Sequence, residues 1–239
     1  PFRLTATGAE LYAFAQPFFE NLEEVGQRLR TRSAPPLRIG ASEIVLRDHL
    51  PAILERVRQD HPEIRLLLRS GYQQQMEAWL QDREIDLAVT VLESRPPARL
   101  QCLRLVRLPL VLLVPRDSKL KSAKELWAQD KIEAPLISLP PTETISRHFQ
   151  KGLRRLRVDW PIHIEASSME LIPRYVANGY GLGINVQLPE LARHPQVRTL
   201  ALEGFDPVEV VILWHGKPSP IIQAVLEEAK RRVQRFWPQ

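Results

Sequence analysis

Between Leu37 and Thr90 the chain alternates short apolar runs with amphipathic ones, and that alternation leaves few folds open. Leu37-Arg38-Ile39-Gly40-Ala41 reads as a strand, after which Leu46, Leu50, Ile53, Leu54 and Val57 recur at helical spacing. Ile64-Arg65-Leu66-Leu67-Leu68 is a second strand, Met76, Trp79 and Leu80 mark a second helix, and Ile85-Asp86-Leu87-Ala88-Val89-Thr90 is a third strand. Strands separated by single helices build a parallel sheet covered on both faces. Such sheets take ligands beyond the carboxyl ends of their strands, which puts Ala41, Ser42, Glu43 and Thr90 on the expected rim.

The same grammar returns in the second half. Residues 100–107 and 110–114 read as strands, the latter opening a second lobe. Ser122-Ala123-Lys124-Glu125 has capping-box spacing ahead of a short helix with Leu126 and Trp127. Leu136-Ile137-Ser138-Leu139 is a strand, and Thr142 is expected to cap a helix carrying Ile145, Phe149, Leu153 and Leu156. A strand at 162–166 runs into Ser167-Ser168-Met169-Glu170, a second capping box before Leu171, Ile172, Tyr175 and Val176. Gly179-Tyr180-Gly181-Leu182-Gly183-Ile184-Asn185 then leaves a helix and enters a strand. Further strands fall at 198–202 and 208–214. Ser219-Pro220 starts a last helix at a position where the missing proline N–H costs nothing, with Ile221, Val225, Leu226, Ala229, Val233 and Phe236 on one face.

Ahead of both repeats lies a helix expected over about residues 6–32, with the Thr5 hydroxyl as its N-cap. Leu11, Ala15, Phe18, Leu22, Val25 and Leu29 alternate steps of four and three, the spacing of a coiled-coil seam. Either a dimer contact or packing on its own domain would use that seam. Pro17 removes one ladder bond and predicts a kink. Ser33-Ala34-Pro35-Pro36 is a stiff linker and marks a boundary.

With 239 residues, 44% of them hydrophobic and 26% charged, the chain has enough apolar material for one long domain or two lobes, which excludes a disordered protein. No apolar run reaches bilayer length, so no membrane contact is expected, and no signal-like segment opens the chain. Pro1-Phe2-Arg3 has no initiator methionine, which suggests a fragment. The single cysteine, Cys102, excludes an internal disulfide and fits a reducing cytoplasm. A net charge of +5 suits nucleic acid or anionic ligands without choosing between them.

Searching for chemistry mostly removes options. The glycines at 179, 181 and 183 follow a helix and precede a strand, the reverse of a dinucleotide fingerprint. Six scattered histidines have no metal-ligand spacing, and no nucleophile motif occurs. No catalytic residue, metal or cofactor is therefore expected. Arg154-Arg155-Leu156-Arg157 and Lys230-Arg231-Arg232 are solvated faces or contacts for nucleic acid or a partner. What remains is a set of hydroxyls, Ser42, Thr90, Thr142, Thr144 and Ser167, at strand ends or helix starts in both lobes, where backbone N–H groups favour an anion. Glu43 opposes a simple anion unless the ligand also carries a cation.

Several short motifs, taken in order, resemble the LysR-type transcriptional regulators. Leu4-Thr5-Ala6-Thr7-Gly8 is similar to the family's L-T-x-A-G step from the wing into the linker helix, with Thr7 where alanine is usual. Leu50-Pro51, His61-Pro62, Glu84-Ile85-Asp86-Leu87-Ala88, Leu110-Val111-Leu112-Leu113-Val114-Pro115, the 179–184 glycine run and Leu188-Pro189 follow in family order. The resemblance implies an α/β fold of two Rossmann-like lobes, like type 2 periplasmic binding proteins, behind a long linker helix. It implies the end of the wing, the dimerisation helix and a linker over 1–36, lobe I over 37–107 and 208–239, and lobe II over 108–207. It also implies a small anionic or zwitterionic effector held by Ala41, Ser42, Glu43, Thr90, Pro141, Thr142 and Ser167, in a cytoplasmic homodimer or homotetramer. DNA would be read by helices lying before Pro1. Arg83 stands where the family commonly has glycine, so a left-handed helix end there would cost about 1 kcal/mol, a departure that bears on the local turn more than on the fold. A transporter's solute-binding protein is the alternative, since it shares the two-lobe cleft.

Overall fold

Two five-stranded sheets organise the computed structural model, which describes residues 5–30, 35–92, 95–96 and 98–237 and, within them, leaves out the side chains of Phe18, residues 20–30 and Glu190. The first sheet has the order β2-β1-β3-β10-β4, from β1 (Leu37–Ala41), β2 (Leu66–Ser70), β3 (Leu87–Leu92), β4 (Leu100–Leu108) and β10 (Val208–His215). The second has the order β7-β6-β8-β5-β9, from β5 (Leu110–Pro115), β6 (Leu136–Ser138), β7 (Ile162–Glu165), β8 (Leu182–Val186) and β9 (Val197–Ala201). The chain crosses between them at Pro109 and returns after β9.

The expected parallel sheet is found only in part. β2, β1 and β3 are parallel, but β10 arrives from the second sheet and wedges antiparallel between β3 and β4. The second sheet is mixed in the same way, with β6 parallel to β7 and β8 while β5 runs antiparallel to β8 and β9. Nor is the first sheet covered throughout: β2 is an edge strand whose Leu67 and Leu68 are exposed. β2 starts two residues later than the apolar run suggests, because the Ile64 N–H is used in a turn to the His61 carbonyl at 3.1 Å. β3 is shifted likewise. Asp86 accepts from the Arg38 N–H at 2.8 Å and from its guanidinium at 2.9 Å, pinning the chain to β1 just before the ladder begins.

A π-helical turn (Val45–His49) leads from the end of β1 into α2 (Leu50–Asp60), which buries Leu50, Ile53, Leu54 and Val57 at the spacing read in the sequence. α3 is Gln73–Gln81 and ends near Arg83, which adopts the left-handed conformation, with φ 56°, despite its side chain. In the second half come α4 (Lys124–Trp127), α5 (Thr144–Leu156), α6 (Leu171–Ala177) and the short α7 (Pro189–Ala192). Only the glutamate half of the first capping box forms, Glu125 Oε1 accepting from the Ser122 N–H at 3.1 Å. The caps expected at Thr142 and Ser167 are absent. α5 begins after Glu143 and α6 after Glu170, and neither of those residues makes a side-chain cap. α8 (Pro220–Phe236) opens as read, Ser219 Oγ accepting from the Ile222 N–H at 3.4 Å, and buries Val225, Leu226 and Ala229.

α1 (Ala6–Arg30) is capped by Thr5, whose Oγ1 accepts from the Gly8 N–H at 3.1 Å, and contains Pro17. Leu11 is 66% exposed and Phe14 83% exposed, so this helix presents apolar side chains to solvent. The side chains of the later seam positions Phe18, Leu22, Val25 and Leu29, and residues 31–34, where the helix is expected to end and the linker to begin, lie outside the described residues.

Candidate functional site: a cavity between the sheets

The carboxyl ends of β1 and β3 face the loops that precede α5 and α6, and a cavity of about 300 Å³ opens between them. From the first lobe its mouth takes Ser42 and Glu43, placed by the end of β1, Thr90 within β3, and Tyr72 just beyond β2. From the second it takes Glu143, Ser167, Met169 and Glu170. Asn185 of β8 holds the second loop, its Nδ2 donating to the Met169 carbonyl at 3.2 Å. A buried pair fixes the segment before α5: Ser146 Oγ lies 2.8 Å from Ser138 Oγ and donates to the Leu139 carbonyl at 2.7 Å.

Among the described residues, three polar contacts bridge the lobes across this mouth. The Tyr72 hydroxyl donates to the Ser167 carbonyl, Thr144 Oγ1 donates to Gln73 Oε1 at 2.7 Å, and Arg47 Nη1 stands 4.0 Å from Glu170 Oε1. Each neutral bridge is worth only about 0.5–1.5 kcal/mol net. Arg47 is mainly occupied by Asp48, to which it donates at 2.8 and 2.7 Å. That fork holds the Arg47 guanidinium firmly charged and the Asp48 carboxyl below the usual range.

Behind the mouth the cavity runs beneath the first sheet between α2 and α8, against Leu50, Ile53, Val210, Ile212, Val225 and Ala229. A β-bulge shapes this part. The β10–β4 register slips at Val210/Val211, leaving Leu105 unpaired, and Leu105 and its neighbour Val106 both line the cavity where strict alternation would have sent one away. Arg232 and His49 also line it. Arg232 Nη2 donates to the Asp48 carbonyl at 2.8 Å, and the His49 ring meets Trp237 at 5.8 Å.

The charges at the mouth are mostly negative. Burial pushes the Glu143 carboxyl above its ordinary range, against the pull of Arg147. The Tyr72 phenol is raised too, first by burial and then by the fields of Glu143, Glu170 and Glu43. Glu170 Oε1 is buried without a hydrogen-bond partner. Among the described residues no three His, Cys, Asp or Glu side chains gather as a metal-binding group.

Of the residues picked from the sequence, Ser42, Glu43, Thr90 and Ser167 line this one cavity. Ala41 is wholly buried inside β1, and Pro141 and Thr142 are exposed outside the lining, the Thr142 carbonyl accepting from Arg147. Tyr72, Glu143 and Glu170 were missed as site residues. The rule that selected Ser42 after β1 applies equally to Tyr72 after β2. Glu170 was read as a capping acid and instead faces Arg47 of the other lobe.

This geometry has known counterparts. A family model described as the LysR substrate binding domain matches residues 30–234. The probable RuBisCO transcriptional regulator of Emiliania huxleyi is 25% identical over 187 residues, 75% of this chain, and the chain spans 60% of that regulator's length. Among solved structures, HinK, a LysR family transcriptional regulator from Pseudomonas aeruginosa, superposes with a TM-score of 0.69 at 21% identity, covering 96% of this chain and 81% of that one. The BenM effector binding domain with its effector benzoate gives 0.70 at 19% identity, covering 85% and 94%. The transporter alternative finds no support among these relatives. With the two mixed sheets, the cleft between them and the match over 30–234, the chain belongs to the LysR substrate binding domain family.

Proposed function

We propose that this chain is the effector-sensing and oligomerising part of a LysR-type transcriptional regulator, with the cavity between the sheets as its effector site. Residues 37–107 with 208–239 form lobe I, residues 108–207 form lobe II, and the crossings near Arg107 and Val208 are the hinge. Ser42, Glu43, Thr90 and Ser167, joined by Tyr72, Glu143 and Glu170, contact the effector; Pro141 and Thr142 belong to the adjoining turn. The observation that carries this reading is a cavity of about 300 Å³ at the meeting of two lobes whose bridges are few and individually weak. A ligand touching both lobes shifts their angle by its difference in affinity for the open and closed arrangements, and bridges worth about a kcal/mol each leave that difference in control.

The exposed apolar face of α1 supports its use as a dimer contact, and DNA recognition belongs to helices outside these residues. In this role the chain carries out no chemical step and needs no cofactor.

Thermal unfolding over a metabolite panel that includes benzoate tests the site. Ser42→Trp should fill the mouth and abolish ligand-induced stabilisation while leaving the unliganded melting temperature within a few degrees. Stabilisation retained in that variant would place the site elsewhere. For assembly, Leu11→Glu should lower the sedimenting mass toward that of a monomer, and an unchanged mass would remove α1 from the interface.

A further inference from the structure

We infer that the ligand this cavity accommodates has a cationic head and an apolar tail, an alkyl- or arylalkylammonium in place of a small carboxylate. The inference rests on the reading of the cavity as the effector site and assigns the chemical class of what enters it. The head group follows from the mouth, where Glu43, Glu143 and Glu170 converge closely enough to act together on Tyr72. Glu170 Oε1 is shut away from water with no donor, and an ammonium N–H is the group that satisfies a buried carboxylate oxygen most strongly. The hydroxyls of Ser42 and Thr90 can accept from the same head.

Of the cations nearby, Arg47 forks onto Asp48 and leaves its Nη1 4.0 Å from Glu170 Oε1, beyond hydrogen-bond reach, while Arg147 donates to Thr144 Oγ1 at 3.2 Å and to the Thr142 carbonyl, and neither lines the cavity. Arg232 and His49 do line it, and there Arg232 bonds to the Asp48 carbonyl at 2.8 Å and lies over the Phe236 ring. An incoming carboxylate would therefore meet three carboxylates at the entrance, with Arg47 paired to Asp48 behind them.

The tail follows from the walls. Behind the mouth, Leu105, Val106, Val210, Ile212, Val225 and Ala229 offer no polar side-chain atom. At ~30 Å³ per water, a volume of about 300 Å³ holds on the order of ten, far more than an ammonium head occupies. Apolar groups displace water from such walls favourably.

Two probes of equal length and opposite charge, 4-phenylbutylammonium and 4-phenylbutanoate, decide the head group when titrated calorimetrically into the chain. The ammonium should bind and the carboxylate should not. Glu170→Gln, which keeps the shape and removes the charge, should weaken the ammonium about tenfold. Methylammonium, a head without a tail, should fail to bind at the same concentrations. Ala229→Phe, or Ile212→Phe should that variant not fold, should weaken 4-phenylbutylammonium by about tenfold or more through loss of tail space. Tighter binding of the carboxylate, or an unchanged ammonium affinity in Glu170→Gln, overturns the cationic head. Equal binding of methylammonium overturns the tail, and no binding of either long probe at millimolar concentration overturns the whole assignment. Ser42→Trp separates this inference from the reading beneath it. Carboxylate binding that Ser42→Trp abolishes leaves the cleft as the site and removes only the charge assignment, whereas ammonium binding that survives Ser42→Trp removes the cleft itself.

Discussion

The two lobes fill their cores differently. In the second, Phe149 stacks on Phe205 at 5.3 Å and meets Trp160 edge-on at 6.2 Å, Trp127 closes the group at 6.0 Å from Trp160, and the buried residues form one continuous cluster. In the first, the sheet divides the core in two. One cluster under α2 and α8 is mainly aliphatic, with Ile39, Ile53, Ile212 and Val225 among its members, and a second under α3 is built on Met76, Leu80 and Ile85. The cavity reaches into the first of these at Leu50, Ile53, Ile212, Val225 and Ala229, and it touches the second lobe's core at Leu139, Ile145, Val186 and Leu188. Large planar rings fill the centre of the second lobe, away from the cavity, while short branched side chains between two helices and a bulged strand line it on the first lobe's side. Binding space in this molecule is therefore walled by aliphatic side chains of both lobes and by none of the second lobe's aromatic rings.

The largest test of that contrast is Phe149→Ala, which should cost about 3–5 kcal/mol because the ring is wholly buried against two other aromatics, Trp160 and Phe205. A loss below about 2 kcal/mol in urea unfolding would mean that the second lobe repacks as readily as the first. A matched pair comes next. Ile137→Val, wholly buried in the second lobe, should cost about 1–1.5 kcal/mol, and Ile212→Val, beside the cavity, nearer 0.5. Equal losses would remove the packing difference at that level.

The smallest effect is a pH dependence at the mouth. Burial raises the folded-state pKa of Glu143 above its ordinary value of 4.5, so the folded protein holds that proton more tightly than the unfolded chain. Its favourable contribution is complete below about 4.5 and is lost as pH rises through the raised value. Glu143→Gln should accordingly be more stable than the parent near neutral pH, by an amount that shrinks on acidification, as read from urea midpoints across that range. A difference independent of pH would mean that Glu143 is as well solvated as a surface carboxylate.

Features carried by neighbouring residues were legible in the sequence. The Ser219-Pro220 cap and the apolar stripe of α2 each depend on a few adjacent side chains, and each stands where the pattern put it. The four hydroxyl and carboxylate positions at Ser42, Glu43, Thr90 and Ser167 were reachable because strand ends define a rim. Long-range pairings were not. Tyr72 meets the carbonyl of Ser167, 95 residues away, and no local pattern announces that contact. The same holds for β10, whose apolar run gives no sign that it enters antiparallel between β3 and β4. Thr142 misled for a related reason: serine and threonine are common N-caps, but α5 starts beyond it at Thr144, and the Thr144 hydroxyl serves the other lobe.

That placement of β10 also orders events during synthesis. The second sheet is continuous in sequence, since β5 to β9 lie within 110–201, and its strands can pair as soon as they have left the ribosome. The first sheet cannot. Until residues 208–215 emerge, β3 and β4 each have an unpaired edge facing a gap that only β10 fills, and α2 lacks α8. Open strand edges are the usual templates for aggregation, so the nascent chain is most vulnerable while the second lobe is already folded and the first waits for its central strand. The lobe that holds β10 is thus the last to close, and a ligand present as β10 inserts would meet that side of its binding surface at the moment it comes into being.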